Sequence, residues 1–130
     1  KVINTKKSTS KNFIIVDAGM TDLLRPPLYS AYHSIKEVFY NGTNKTVCDV
    51  VGPVCETADF IGKDRNLSVS KGDYVAVESV GAYGFSLSSN YNTRMKSAEY
   101  LIAKDGQNIR KIRGRDTIEQ ILENETKYLL

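Results

Sequence analysis

The chain has 130 residues, 41% hydrophobic and 25% charged, a composition that suits one compact globular domain and leaves too little for two. Its formal charge of +3 is spread over 18 basic and 15 acidic residues, which excludes the concentrated stripe that nucleic acid binding needs; the densest basic stretch, Arg110-Lys111-Arg113-Arg115, reads as a solvated face. No apolar run approaches the ~18 residues of a membrane span, and no charged-then-apolar leader opens the chain, so no membrane partner and a cytoplasmic location are expected.

Lys1 opens without a Met and runs straight into Val2-Ile3, which reads as a piece of a longer chain. Val2 to Thr5 has strand character, and Lys6 to Asn12 is a polar loop. Phe13-Ile14-Ile15-Val16 is a continuous β-type apolar run, read as a buried strand. It stops at Asp17-Ala18-Gly19, where glycine permits a sharp change of direction. Leu23 to His33 is short irregular or helical structure around Pro26-Pro27, because two prolines remove two backbone donors. Ile35 to Tyr40 returns to extended chain, and Asn41-Gly42 is a turn signal.

Thr46 to Glu56 reads as another strand, Asp59 to Leu67 as a loop, Ser70 to Asp73 as a turn and Tyr74 to Val80 as a strand. Gly81 to Asn92 suits a short helix or structured loop. Ala98 to Ala103 and Ile109 to Ile112 form a hairpin across Asp105-Gly106. Asp116 or Thr117 caps a terminal helix; Asp116 and Glu119 have capping-box spacing, and Ile118, Ile121 and Leu122 give an apolar face. Short strands with turns and a C-terminal helix predict a mainly β fold, a barrel or sandwich.

Cys48, Cys55 and the single His33 fall short of a zinc set, so no metal is expected, and the two cysteines read as thiols rather than a disulfide. The four Asn-x-Ser/Thr sequons, at Asn41, Asn44, Asn66 and Asn124, read as chance matches without a secretory signal.

Three segments carry unusual chemistry. In Asp17 to His33, Arg25 and Tyr29 stand four apart beside the prolines; on a helix both face one way, and a guanidinium fork with a phenol donor makes an anion clamp. The competing reading is a surface ion pair with a packed Tyr. In Val51 to Asp59, Cys55 beside Glu56 offers a proton donor and a cation acceptor, against a buried inert thiol and a solvated carboxylate. In Gly81 to Asn92, small residues flank Tyr83 and let a ligand approach the backbone; a glycine-rich turn with a packed Tyr is the alternative.

Taken together, VDAGMTDLLRPPLYSAYH, VVGPVCETADF and VGAYGFSLSSNYNTR resemble, in order and spacing, the three signature blocks of the C-terminal domain of the diaminopimelate decarboxylases, from about Phe13 to Arg94. These belong to the fold-type III pyridoxal-phosphate decarboxylases. The resemblance implies that residues 1–130 are a C-terminal β-barrel domain similar to that of alanine racemase and ornithine decarboxylase. A TIM-like N-terminal barrel carrying the lysine that holds pyridoxal 5'-phosphate would lie outside this chain. It implies a homodimer whose sites lie between domains and convert meso-diaminopimelate to L-lysine and carbon dioxide. Arg25 and Tyr29 would bind the distal carboxylate. Cys55 would donate a proton across the dimer, Glu56 would hold the distal ammonium, again across the interface, and Tyr83 would touch both cofactor and substrate.

Departures are small: Thr57-Ala58 replace the family's more frequent Ser or Gly, Pro27 stands at an often small position, and Asp59 is retained. The family's upstream substrate-binding Arg and its glycine-rich phosphate loop are not in this sequence. Rival readings are a sister decarboxylase acting on ornithine, arginine or carboxynorspermidine, whose substrates have no use for the clamp, and a non-catalytic β-barrel interaction module. His33 is read as structural. The isolated chain is expected to be inactive and to bind the cofactor weakly.

Overall fold

A computed structural model describes residues 1–40, 42 and 44–129. Their contacts divide the chain into two compact units, Lys1–Ser88 and Ser89–Leu130. The turn expected at Asn41-Gly42 lies partly outside the described residues.

The first unit is built on a four-stranded sheet in the order β1-β2-β4-β5. Its strands are β1 (Val2–Lys7), β2 (Asn12–Val16), β4 (Thr46–Val51) and β5 (Phe60–Leu67); β3 (Ile35–Glu37) lies between β2 and β4 in sequence. The expected strands at Val2 and Phe13 are therefore present, and Lys6, Lys7 and Asn12 belong to them rather than to the loop. Ile14 and Val16 of β2 are buried, and so is Val50 of β4. Each removes apolar surface worth ~1.5–3 kcal/mol from water. Val2, Leu23, Ile35, Cys48, Ile61 and Leu67 complete this core.

β1 runs antiparallel to β2, whereas β2 and β4 are parallel, with Phe13 opposite Asp49 and Ile15 opposite Val51. A parallel pair needs a crossover connection, and residues 17–45 supply it. Within that crossover, α1 (Arg25–Tyr29) places Pro26 and Pro27 in its first turn, where a missing N–H costs no helical hydrogen bond. Ser30 closes it in the left-handed region (φ 53°), its N–H donating to the Arg25 carbonyl.

β5 corrects the loop expected over Asp59 to Leu67. Its Lys63-Asp64-Arg65-Asn66 run hides the strand period, and its register against β4 breaks between Cys48 and Val50. At that bulge Asp64 adopts φ 54° and donates its N–H to Asp49 Oδ1 at 2.9 Å. Asp49 is buried, and its other oxygen accepts from Lys11 Nζ at 2.8 Å. A polar strand is thus held by a buried carboxylate on its neighbour.

β3 pairs antiparallel with β6 (Val75–Val77) in a separate two-stranded sheet. The strand expected over Tyr74 to Val80 is shorter than predicted because Ser79 takes φ 58° and turns the chain into α2 (Gly81–Gly84). The expected turn before it is present: Asp73 N–H donates to the Ser70 carbonyl, and Gly72 has φ 100°.

In the second unit β7 (Glu99–Ile102) and β8 (Ile109–Arg113) form the expected hairpin, with Gly106 at φ 70° and Asp105 Oδ1 accepting from the N–H groups of Gln107 and Asn108. At the C-terminus the capping box is Thr117 with Gln120, not Asp116 with Glu119. The Asp116 carboxylate is taken by Arg113 and the Lys96 N–H instead. The expected single helix is two short ones, α3 (Ile118–Ile121) and α4 (Glu123–Thr126), and Ile118 and Leu122 of its proposed apolar face are exposed.

The fold is mainly β with a few short helices. Among the described residues no ladder joins β1 to β5, so the four-stranded sheet is open. No helix among them is long and apolar enough to cross a membrane.

Candidate functional site

Because β2 and β4 are parallel neighbours, their C-terminal ends leave the sheet side by side. One feeds Asp17-Ala18-Gly19 and then α1; the other feeds Gly52-Pro53 and then Cys55-Glu56. The first two chemical segments of the sequence therefore start from the same end of one sheet.

Asp59 joins them. It is buried, with Oδ1 accepting the Met20 N–H at 2.6 Å and Oδ2 the Val54 N–H at 2.6 Å. Its backbone closes the second loop, as Gly52 N–H donates to the Asp59 carbonyl and Asp59 N–H to the Glu56 carbonyl. Glycine is required on both sides: a Cβ at Gly19 or at Gly52 would lie 2.5 Å from Asp59 Oδ1, and one at Gly52 would also lie 2.6 Å from the Gly19 Cα. The first loop is braced further by Asp22, whose Oδ2 accepts from the Gly19 N–H at 2.9 Å.

Arg25 is the first residue of α1 and half-buried; Tyr29 is the last and 65% exposed. The Arg25 guanidinium lies over the Tyr83 ring, 5.2 Å from its centroid, so the first and third segments also meet. Tyr83 sits in α2 and is 57% exposed, and a Cβ built at the neighbouring Gly81 meets nothing within 4 Å. Cys55 is a free, exposed thiol and Glu56 is exposed beside it. Cys48, in contrast, is buried in β4, where desolvation pushes its thiol up to about 11. Of the two cysteines, then, the one in the loop is the one placed for chemistry. His33 is buried, with Nδ1 3.1 Å from the Glu78 carbonyl, which assigns that nitrogen its proton. Among the described residues no group of three His, Cys, Asp or Glu could hold a metal ion.

The sequence profile of the pyridoxal-dependent decarboxylase C-terminal sheet domain matches residues 1–81. This chain belongs to the pyridoxal-dependent decarboxylase family. Diaminopimelate decarboxylase of Neisseria meningitidis is 48% identical over 124 residues, 95% of this chain and 30% of that protein. The Haemophilus influenzae diaminopimelate decarboxylase is 50% identical over 93% of this chain and 29% of its own length. The crystal structure of diaminopimelate decarboxylase from Helicobacter pylori complexed with L-lysine superposes with a TM-score of 0.88 at 45% identity, over 99% of this chain and 31% of that one. The chain thus spans about three-tenths of the length of the relatives it matches.

Within this decarboxylase domain the structure joins Arg25 to Tyr83 directly, and the Arg25 segment to the Cys55-Glu56 loop through Asp59. The sequence pointed to the side chains of Arg25, Tyr29, Cys55, Glu56 and Tyr83, and to Asp59 only as a retained motif position, without its part as the buried group that ties two of their segments. A signal was present: one Asp closing the second segment, and a Gly in each segment at the strand exits.

Proposed function

We propose that this chain is the C-terminal domain of a carboxy-lyase that converts meso-diaminopimelate to L-lysine and carbon dioxide. The observation that carries the reading is the shared mounting of Arg25-Tyr29 and Cys55-Glu56 at the C-terminal ends of two parallel strands, in a chain of this family.

The substrate's distal end is a zwitterion. On this reading the Arg25 fork and the Tyr29 hydroxyl hold its carboxylate, and Glu56 holds its ammonium. A substrate lacking either group would leave a charged partner unsatisfied, which is how such a site discriminates. Pyridoxal 5'-phosphate, held on a lysine of an N-terminal TIM-like barrel, supplies the electron sink for loss of carbon dioxide. Here the exposed Tyr83 hydroxyl and the open space beside Gly81 fit one contact near the phosphate. Cys55 Sγ–H then gives its proton to the carbon that has lost carbon dioxide and is left as a thiolate. It does so in the site of a homodimer partner, from a loop on which Cys55 is exposed. The parent protein acts in the cytoplasm, and its C-terminal domain is of the β-barrel kind.

The solved lysine decarboxylase of Selenomonas ruminantium, at 23% identity and a TM-score of 0.63, shares the fold alone. Amine-ended substrates of the ornithine or arginine kind give Arg25 and Tyr29 nothing to bind, so they are the second reading. The test is lysine release by the full-length parent with added pyridoxal phosphate, offered meso-diaminopimelate, ornithine or arginine. Lysine from meso-diaminopimelate supports the proposal. Turnover of ornithine or arginine only overturns the clamp, and no turnover of any favours a non-catalytic interaction domain.

A further inference from the structure

We infer that Asp59 is a positioning residue for the reaction, fixing where the Cys55 loop stands on the domain by tying it to the turn before α1; this rests on the function proposed above. The carboxylate is buried and engaged by the backbone of both loops. It is 4% exposed and spends one oxygen on each loop, Oδ1 on Met20 N–H and Oδ2 on Val54 N–H, both at 2.6 Å. Val54 directly precedes Cys55, and Met20 stands at the turn that leads into α1 and Arg25.

The chemistry requires a carboxylate. Both loops present donors, and only an ionised acid offers two acceptor oxygens. Asparagine has the same size but must turn an NH2 toward one of the two N–H groups, releasing that loop. Glutamate cannot fit, because Gly19 and Gly52 already leave no space for one carbon between them and Asp59. The packing therefore fixes the length of the side chain and the hydrogen bonds fix its charge.

The consequence is that the loop delivering the proton is anchored to the sheet exit at Met20 and so stands at a fixed place on its domain. A donor displaced by about 1 Å loses rate on the order of 100-fold without any change in its own chemistry.

The experiment is a double-mutant cycle in the full-length enzyme between Asp59→Asn and Cys55→Ala, read as kcat for lysine release from meso-diaminopimelate. Asp59→Asn is expected to lower kcat ~10- to 100-fold when Cys55 is present, and to cost much less when it is already gone. An equal loss in both backgrounds, or no loss in an active enzyme, overturns the inference. Should Asp59→Asn fail to fold, Gly19→Ala replaces it, since the added Cβ displaces the carboxylate without removing it, and the same non-additivity is required. A wild-type enzyme that releases no lysine overturns the function itself, whereas loss of non-additivity in an active enzyme overturns only the role of Asp59.

Discussion

The guanidinium of Arg25 lies 5.2 Å from the centroid of the Tyr83 ring. Arg25 starts one helix and Tyr83 lies in another more than fifty residues later, so only the folded chain brings them together. The contact holds the long arginine side chain at the mouth of the proposed clamp. Cation–π contacts at such partly exposed places are worth ~0.5–1 kcal/mol.

Tyr83→Phe keeps the ring and removes the hydroxyl, whereas Tyr83→Ala removes both. In the full-length enzyme the Ala variant should raise KM for meso-diaminopimelate about two- to fivefold above the Phe variant, the loss of that contact alone. Equal KM values for the two variants would show that the ring does nothing for Arg25.

The two thiols should differ sharply in reactivity. Cys55 is exposed, while burial pushes Cys48 up to about 11 and its Sγ–H donates to the Arg65 carbonyl at 3.3 Å. Iodoacetamide at mildly alkaline pH should label Cys55 in the native protein and Cys48 only after unfolding, as read by peptide mass spectrometry. On the proposed function, meso-diaminopimelate slows labelling of Cys55 in the full-length enzyme. Native labelling of Cys48 ahead of Cys55 would contradict the burial pattern.

Cys48 also predicts an alkaline limit. Its folded thiol keeps its proton above the ordinary value of 9.0, up to about 11. The unfolded chain releases that proton first, so stability is full below about 9 and falls as pH rises toward 11, by on the order of 2 kcal/mol. Urea midpoints across this range should decline in the wild type and decline less in Cys48→Ala, whose overall stability is lower at neutral pH because a buried side chain is lost.

Asp49 predicts the acid limb. Burial pushes its carboxyl up, but the Lys11 ammonium, the Asp64 N–H and the charge of Lys63 together hold it below the usual carboxylate range. Its contribution is therefore present at neutral pH and lost as pH falls below the unfolded value through the lower folded one. Asp49→Asn should cost about 1–3 kcal/mol at pH 7 by leaving a buried donor poorly paired, and should flatten the acid limb of urea midpoint against pH. An unchanged acid limb would mean that the bulge between β4 and β5 is not held by this carboxylate.

The sequence by itself determined the strands around Phe13 to Val16 and Val47 to Val51, because Ile14, Val16 and Val50 need a core to bury them. It determined the turn at Ser70 to Asp73 and the hairpin at Asp105-Gly106, where local hydrogen bonds and positive φ act over a few residues. It also pointed to Arg25, Tyr29, Cys55, Glu56 and Tyr83 as candidate site residues, since the segments that hold them carry the family resemblance.

Tertiary structure alone decided β5, whose charged Lys63-Asp64-Arg65 run becomes a strand only because Asp49 lies across from it. It decided that Thr117, not Asp116, caps the C-terminal helix, because Asp116 is claimed by Arg113 from the preceding hairpin. It decided, too, that β2 and β4 run parallel, and so that their exits meet at Gly19, Gly52 and Asp59. Local propensity does not weigh a partner on another element, and in each of these cases such a partner (Asp49 for Asp64, Arg113 for Asp116, Asp59 for Met20) satisfies the charge or the hydrogen bond.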